Sequence, residues 1–508
     1  MKVTLAGYNI DKSLIEQLPD QNTATPETIS AAYARISRDP RDVNELREEA
    51  LKQVKKARRS NQAIVFGMSH HSVAEHAYFN FDILGISRLA LEELEARRIG
   101  AAYTEKSQRY ITLKGDFVTP KEYDRKDRES FLELVNFQNK FYLNNLEKLI
   151  QYQFESNSEL AEKADTASGK GTSNKMNRAK NTLEGWAKED ARYALSLATQ
   201  AQLGLSFNAR TLEHAIRIMR HSELAEIRDL SQKLFDAVKV VAPSLIILSD
   251  PEEFKKAFKT DLKDDHFRLS KKYLKEIVAE EINKFGEEKV SKNVIELGDA
   301  KLLPENSIDM DVLIALIHHN STLSYEESFE VAAKVIENKE HAEEFFKETL
   351  RYISEFDTLS REFEFNGKLM FELTISASNF AQLKRHRLMT LLAQDYNPEL
   401  SYTIPESIKA INKEKDLIEI CDRSSELFNK FLPKYGKTSN YCLTNAHRRR
   451  VLISVNPREL YHISRLREDE HAQWDIKNTT KNMLQLAKQA APLTFMLSGG
   501  KDEFGRLI

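Results

Sequence analysis

The chain has 508 residues, 30% of them charged, a net charge of −3 and only two cysteines, Cys421 and Cys442. This length allows two or more domains with separate cores, and the near-neutral charge argues against general nucleic-acid binding, which needs a basic surplus. Two cysteines make a disulfide framework unexpected, and no long apolar run is present, so we expect a cytoplasmic protein with neither secretion nor a membrane span.

The first half alternates helical and strand-like patterns. A charged helical period comes first, followed by a strand-like run, a helix and two long helices, over residues 27–60, 77–86, 88 to about 98, 127–165 and 180–247. A loop at 167–174 separates the long helices, and it lacks the Gly-x4-Gly-Lys spacing of a phosphate-binding loop. The pattern predicts a helix-rich α+β fold.

Residues 251–300 are dense in Lys, Asp and Glu, which predicts a solvated helical connector. Beyond it, the alternating run Phe371–Ser376 predicts a strand. A basic stretch follows, and on a helix Gln382, Arg385 and His386 would lie about one turn apart. Arginine can hold a phosphate or a polarised carbonyl at two points, so this stretch is a candidate anion site. Taken alone, such a stretch is more often only a basic helix surface.

The chain repeats itself at a fixed offset. Three pairs of positions are separated by the same distance, since 440−192, 456−208 and 462−214 all equal 248: Arg192 and Asn440, Asn208 and Asn456, His214 and His462. Two further stretches also match, Phe81–Ile83 with Phe371–Leu373 and, after a one-residue slip, Ala225–Arg228 with Trp474–Lys477. The repeat predicts two copies of one α+β domain, residues 1–250 and 301–508, joined by the connector 251–300.

A motif is split between the two repeats. The first repeat carries Glu105-Lys106-Ser107-Gln108-Arg109-Tyr110, and the second carries Gln382-Leu383-Lys384-Arg385-His386-Arg387. Together these stretches resemble the signature of the flavin-dependent thymidylate synthase (ThyX) family, Arg-His-Arg-x-x-Ser-x-Asn-Glu-x-Ser-x-Arg-Tyr preceded by Gln. The resemblance implies two tandem ThyX-type domains, each with an antiparallel sheet and long helices.

Each repeat has lost the half of the motif that the other keeps. Arg97-Arg98-Ile99 replaces Arg-His-Arg in the first repeat, whereas Ala393, Asp395 and Asn397 replace Glu, Ser and Arg in the second. In the family, each active site takes these two segments from different chains of a homotetramer. The resemblance therefore implies one composite site per chain and a homodimer of the fused chain, although two non-catalytic halves remain an alternative.

The resemblance also implies residue roles. The residues matched to dUMP binding are Gln382, Arg385, Glu105, Ser107, Gln108, Arg109, Arg192 and Arg467. Arg467 is matched to the catalytic arginine, which polarises the pyrimidine and favours its N3-deprotonated form. In the first repeat, Arg220 lies one residue out of register with Arg467.

FAD is the implied cofactor. The residues matched to its binding are Ser72, Glu105, Arg385, His386, Arg387, Asn208, Arg210, His214, Asn456, Arg458 and His462. Which of the pairs Asn208/Arg210 and Asn456/Arg458 lines the competent flavin site stays open at this point. The histidines do not have zinc-ligand spacing, so no metal is expected.

The implied reaction is the reductive methylation of dUMP to dTMP, with methylenetetrahydrofolate as carbon donor and NADPH as reductant. A related enzyme acting on another pyrimidine nucleotide is an alternative, because Ala102 and Thr104 stand where the signature has Ser and Asn. A non-catalytic protein that binds flavin or nucleotide is a third hypothesis, which would be favoured by loss of Ser107 or Arg467; both are present.

Overall fold

The computed structural model describes residues 1–10, 25–35, 40–63, 71–96, 99–109, 111–165, 174–262, 266–285, 295–303, 308–350, 362, 369–455, 457–469, 472–490 and 499–500. Its strands are β1 (Lys2–Tyr8), β2 (Tyr78–Ser87), β3 (Ala101–Glu105), β4 (Gln200–Asn208), β5 (Ile295–Leu297), β6 (Ala300–Leu302), β7 (Leu369–Ser376), β8 (Thr390–Ala393) and β9 (Arg448–Val455).

The α-helices of the described residues are α1 (Glu27–Arg35), α2 (Val43–Lys52), α3 (Val54–Asn61), α4 (Arg88–Leu94), α5 (Arg125–Ser156), α6 (Ser158–Asp165), α7 (Asn174–Ala191), α8 (Ala209–Arg220), α9 (Ala225–Lys239), α10 (Pro251–Phe258), α11 (His266–Phe285), α12 (Ile308–His319), α13 (Tyr325–Glu337), α14 (Lys339–Leu350), α15 (Ala377–Leu383), α16 (Glu406–Ala410), α17 (Glu414–Tyr435), α18 (Pro457–Arg467) and α19 (Trp474–Ala490). Short 3-10 helices span His71–His76, Arg192–Ala194, Pro243–Leu245, Ile247–Ser249, Pro398–Leu400 and Gly436–Cys442.

The described residues form two compact units. The first takes those in Met1–Lys106 and Gln200–Ser270, and the second takes those in Ser107–Thr199, Lys271–Arg351 and Leu359–Ile508. The second unit therefore contains residues from both sequence repeats. The ranges 1–250 and 301–508 describe the repeat in the sequence, and as domain boundaries they stay a prediction.

The sheet of the first unit is antiparallel, with strand order β1-β2-β4-β3. Both central strands alternate buried and exposed residues, as expected for a sheet with one covered face. The predicted long helix over 180–247 is wrong at Gln200–Asn208, which forms strand β4. Its side chains at Ala201, Leu203, Leu205 and Phe207 are buried, and this period of two signals a strand.

The sheet of the second unit repeats this arrangement. Its order is β5-β6-β7-β9-β8, so β6-β7-β9-β8 follows the same antiparallel path as β1-β2-β4-β3. In each repeat a serine ends the second strand of this path and caps the next helix: Ser87 accepts from Ala90 N, and Ser376 from Asn379 N. The predicted α+β class with antiparallel sheets is confirmed.

A carboxylate holds each capping serine. Glu226 in α9 accepts hydrogen bonds from Ser87 N at 2.8 Å and Ser87 Oγ at 2.6 Å. Asp475 in α19 accepts from Ser376 Oγ at 2.6 Å. These are the acidic residues of the stretches that the sequence aligned with a one-residue slip, so the alignment describes equivalent contacts.

Long helices of the first repeat pack in the second unit. Side chains from α5 and α7, including Tyr142, Leu149 and Ala187, share a core cluster with Leu417 and Ile420 of α17. The predicted helix 127–165 is interrupted at Asn157, which has a non-helical backbone between α5 and α6. The packing of α5 and α7 against α17 positions the end of α7 and the residues that follow it, which belong to the candidate site.

A helical layer covers the other face of the second sheet. Leu274, Val278, Leu313 and Val331 are among the buried residues that share a cluster with Met370, Leu392 and Leu452 of the strands. The predicted solvated helical connector 251–300 is therefore only partly right: α11 buries an apolar stripe, and β5 and β6 form a hairpin near its end. No helix within the described ranges is long and apolar enough to cross a membrane.

Candidate functional site

The two half-motifs meet in the second unit. The turn at Ser107–Arg109 is held by a hydrogen bond from Arg109 N to Ser107 Oγ at 3.1 Å. The Arg109 guanidinium forms an ion pair with Glu189 near the end of α7, and its Nη1 donates to Gln382 Oε1 at 3.3 Å. Arg109 belongs to the first sequence repeat and Gln382 to the second, so both repeats contribute to one local cluster.

The Arg-His-Arg segment lies in a turn, and its prediction as part of a helix is wrong. Helix α15 ends at Leu383, after which Arg385 N donates to Gln382 O at 3.3 Å and His386 N to Leu383 O at 3.1 Å. These i to i+3 bonds tighten the backbone after the last α-helical turn. Arg385 and Arg387 are exposed, whereas His386 is buried.

Arg467, at the end of α18, contacts the same turn. Its Nε donates to His386 Nε2 at 2.9 Å, and its Nη2 lies 3.4 Å from Gln382 O. Because a guanidinium can only donate, His386 Nε2 accepts, which assigns the imidazole proton to Nδ1 in the neutral ring. His386 Nδ1 lies 3.9 Å from Oε1 of the buried Glu459.

The cluster brings three guanidinium groups close together. Burial and, after it, the neighbouring charges of Arg385 and Arg109 lower the pKa of Arg467 to about 10, whereas the charge of Asp469 opposes this shift. The hydrogen bonds of Arg467 within the described part of the chain go to a histidine nitrogen and a carbonyl, neither of them an anion. Three guanidinium groups, with the carboxylates of Glu189 and Asp469 as counter-charges, make a site suited to an anionic ligand such as a phosphate.

Comparison with known proteins identifies the family. The model of the family described as thymidylate synthase complementing protein matches residues 18–244 and 310–493, which is most of the chain and falls once in each repeat. The chain belongs to this family.

The relatives of the chain include single-length and double-length proteins. A flavin-dependent thymidylate synthase of Clostridium tetani is 31% identical over 233 residues, covering 45% of this chain and 84% of the relative. A Chlamydia muridarum protein named UPF0159 is 20% identical over 457 residues, covering 86% of this chain and 80% of the relative. The tandem length is therefore shared with at least one relative.

Solved structures also match the chain, with low TM-scores. ThyX from Helicobacter pylori with FAD and dUMP is 23% identical, covers 48% of this chain and 99% of that one, and has a TM-score of 0.27. The UMP/dUMP methylase PolB of Streptomyces cacaoi is 16% identical, covers 51% of this chain and 95% of that one, and has a TM-score of 0.34. Family membership therefore rests on the sequence matches.

Two more of the nucleotide residues implied by the family resemblance lie in the second unit. Arg192 begins a 3-10 helix and is 5% exposed, and Gln108 is buried in the turn. Asn445 contacts both, since its Nδ2 donates to Arg192 O at 3.0 Å and lies 3.5 Å from Gln108 Oε1. Asn445 is thus a link between the 3-10 helix and the turn that the sequence did not single out.

The predicted flavin residues are distributed between the units. Ser72, Glu105, Asn208, Arg210 and His214 belong to the first unit, and Arg385, His386, Arg387, Arg458 and His462 to the second. The His462 ring is exposed and stands edge-to-face with that of His386, with centroids 6.0 Å apart. Asn456 and Tyr110 lie outside the described residues.

The first-unit members have structural contacts of their own. Asn208 Oδ1 caps α8 by accepting from Thr211 N at 2.8 Å. Arg210 pairs with Glu75 at 2.6 Å on the surface, and Ser72 is exposed on the 3-10 helix His71–His76. Glu105, at the end of β3, and His214, in α8, are half-buried. In the described ranges no group of three or more His, Cys, Asp or Glu side chains could hold a metal ion.

At three positions where one repeat departs from the family motif, the side chain contacts other parts of the protein. Arg220 donates from Nη2 to Ser249 O at 2.7 Å, which ties the end of α8 to a neighbouring 3-10 helix. Asn440, at the position of Arg192, donates to Lys437 O at 2.8 Å, and Asn397 Oδ1 accepts from Glu399 N at 2.9 Å. Asn440 and Asn397 stabilise local turns and Arg220 links two helices, so each of these side chains contacts the protein itself.

Besides Asn445, three buried residues of the site were missed in the sequence. Glu189 pairs with Arg109, Glu459 faces His386, and Gln473 Oε1 accepts from Gln382 Nε2 at 3.2 Å. Gln473 directly precedes Trp474–Lys477, the stretch that the sequence aligned with Ala225–Arg228, and this was a usable signal. Glu189 and Glu459 are ordinary helix residues in the sequence, and their importance follows only from the packing.

Proposed function

We propose that the chain is a flavin-dependent thymidylate synthase that methylates dUMP to dTMP in one composite site per chain. The observation that carries the proposal is the contact of Arg109 with Gln382, which joins the retained half-motif of each repeat. Family membership and the names of relatives such as the Clostridium tetani protein support the reaction class.

The cationic cluster suits a nucleotide monophosphate. Ser107, Arg109 and Arg385 would bind its phosphate through a hydroxyl and two planar guanidinium forks. Arg192, which is buried in the same unit three residues after Glu189, the partner of Arg109, would add a further positive charge.

Arg467 would act on the pyrimidine ring. A guanidinium with a pKa lowered to about 10 remains charged at neutral pH and can stabilise negative charge that develops on the deprotonated ring. The hydrogen bond to His386 Nε2 fixes the direction of the Arg467 Nε–H bond, so the guanidinium would be oriented before the substrate arrives.

The residues around His386 also fit a flavin nucleotide. Arg385 and Arg387 are exposed cations on either side of a buried histidine, an arrangement that can hold a pyrophosphate while the histidine contacts the ring system. When bound, FAD would supply the redox chemistry, with methylenetetrahydrofolate as carbon donor and NADPH as reductant.

Calorimetric titration with dUMP tests the composite site. We expect about one dUMP bound per chain, and no binding by the Arg109→Ala variant. Arg125→Ala is a matched control, because the Arg125 side chain is 94% exposed and pairs only loosely with Glu129 at 3.2 Å. Two equivalent nucleotides per chain, or full binding by Arg109→Ala, would contradict the proposal.

Activity is measured separately from binding. We expect the purified protein with FAD to release tritium from [5-³H]dUMP in the presence of methylenetetrahydrofolate and NADPH, and to support growth of a thymidine auxotroph. Turnover of UMP in place of dUMP would redirect the proposal to another pyrimidine nucleotide, and nucleotide binding without turnover would redirect it to a non-catalytic role.

A further inference from the structure

A directed chain of hydrogen bonds leads from the core to Arg109. Tyr193 Oη donates to Asp475 Oδ2 at 2.8 Å, and Gln473 Nε2 donates to Tyr193 Oη at 3.1 Å. Gln382 Nε2 then donates to Gln473 Oε1 at 3.2 Å, and Arg109 Nη1 donates to Gln382 Oε1 at 3.3 Å. Apart from Arg109, every member is at most 4% exposed.

The two ends of this chain fix its direction. Asp475, when ionised, can only accept hydrogen bonds, and Arg109 can only donate them. Burial and the neighbouring Asp475 raise the pKa of Tyr193, so its hydroxyl keeps its proton and has a lone pair for Gln473. Ile476 N, 3.4 Å from Gln473 Oε1 at the start of α19, requires the same orientation of the Gln473 amide. Neither amide can flip without placing a donor against a donor.

The same carboxylate also holds the helix that carries Gln382. Asp475 accepts from Ser376 Oγ at 2.6 Å and from Asn379 Nδ2 at 3.0 Å, at the start of α15. Gln382 lies one residue before the end of this short helix. Its backbone and its side chain are therefore both positioned from Asp475, the first by the helix and the second through Tyr193 and Gln473.

We propose that Tyr193 and Gln473 are positioning residues for the nucleotide phosphate. They hold the Gln382 amide with its oxygen toward Arg109, and this oxygen together with Glu189 sets the direction of the Arg109 guanidinium. If Gln473 did not hold the Gln382 amide, only Arg109 itself would select its orientation, and a flipped amide would place its NH₂ group against the guanidinium. The proposal rests on the proposed function, because it takes Arg109 as a phosphate ligand.

The first test replaces Tyr193 by phenylalanine in the full-length protein. Tyr193→Phe leaves Asp475 with two of its donors but removes the acceptor of Gln473 Nε2. We expect the variant to bind dUMP about tenfold more weakly, because the lost hydrogen bond no longer fixes the orientation of Gln473 before the nucleotide binds. Deoxyuridine, which lacks the phosphate, should bind with an affinity within about twofold of that of the wild type. Tyr142→Phe is the matched control, since Tyr142 is equally buried in the same unit and its hydroxyl accepts from Leu113 N at 3.3 Å.

A second variant distinguishes a loss of positioning from a general folding defect. Gln473→Met removes the amide at similar volume, and Gln138→Met is its control, because Gln138 is buried and donates to Ser424 Oγ and Cys442 O within the same unit. We expect Gln473→Met, but not Gln138→Met, to reduce affinity for dUMP selectively over deoxyuridine. Melting temperatures of both variants measure the purely structural effect.

The decisive measurement combines Tyr193→Phe with Arg109→Lys. If Tyr193 acts through Arg109, the loss of dUMP affinity in the double variant should be clearly smaller than the product of the two separate losses. Losses that multiply, or equal losses for dUMP and deoxyuridine, would overturn the positioning role. Failure of the wild-type protein to bind dUMP would instead overturn the proposed function and, with it, the role of Arg109.

Discussion

Asp190, next to Glu189 near the end of α7, should make the protein less stable as the pH rises through the weakly acidic range. Its carboxylate is 5% exposed, and accepts hydrogen bonds from Trp474 Nε1 at 2.7 Å and Ser407 Oγ at 2.6 Å. Burial raises its pKa from 3.8 to about 6, which the two hydrogen bonds only partly oppose. The folded protein therefore holds this proton more tightly than the unfolded chain.

The sign and size of the effect follow from linkage. Between the two pKa values the folded state binds more protons than the unfolded state, so this group lowers the free energy of unfolding as the pH rises, and its effect is constant above both values. A shift of this size corresponds to about 3 kcal/mol in total, of which about 1.4 kcal/mol falls between pH 5 and pH 7.5.

Asp190→Asn removes the titration and keeps the contacts. The amide oxygen can accept from Trp474, and the amide NH₂ can donate to the Ser407 hydroxyl, which can turn to accept. We expect the variant to be more stable than wild type at pH 7.5, by about 1–3 kcal/mol, with a smaller advantage at pH 5. Urea unfolding followed by tryptophan fluorescence reports on this region directly, because Trp474 is the partner of Asp190. The reasoning is refuted if the difference between variant and wild type is the same at both pH values.

Three further outcomes are expected. His386→Ala should weaken retention of FAD through purification, measured by flavin absorbance, because it removes the side chain that anchors the Arg385–Arg387 turn to Arg467; unchanged flavin content would contradict this. Arg467→Lys should lower kcat by about a hundredfold with little change in melting temperature, whereas Arg220→Lys should lower the melting temperature and leave kcat unchanged, since Arg220 donates to Ser249 O and lies over the Phe235 ring. Light scattering should show a homodimer of the fused chain at micromolar concentration, and a monomer would count against the expected assembly.

The sequence was most informative where a pattern is local or repeated. The alternation of Phe371–Ser376 predicted β7, and the match of Ala225–Arg228 with Trp474–Lys477 anticipated the equivalent contacts of Glu226 and Asp475. The strand pattern and each of the two matched stretches are shorter than ten residues, so neighbouring side chains suffice to define them.

The sequence was least informative where distant residues decide the structure. The strand Gln200–Asn208 lies between helical stretches, and its short alternation was absorbed into a predicted helix. The turn at Arg385–Arg387 follows a helix of only seven residues, too short for periodicity to mark its end. The pairing of Glu189 with Arg109 spans 80 positions in the sequence, and that of Gln382 with Gln473 spans 91, so neither leaves a local pattern.

The contact between Arg109 and Gln382 has a genetic consequence. Repeated segments of a gene can exchange sequence, and such gene conversion tends to make the repeats alike. Here a conversion in either direction would leave both copies with the same half of the motif, either two turns like Ser107–Arg109 or two turns like Arg385–Arg387, and no complete cluster. Under the proposed function, selection for the composite site would remove such events, so the two repeats are expected to diverge within one open reading frame.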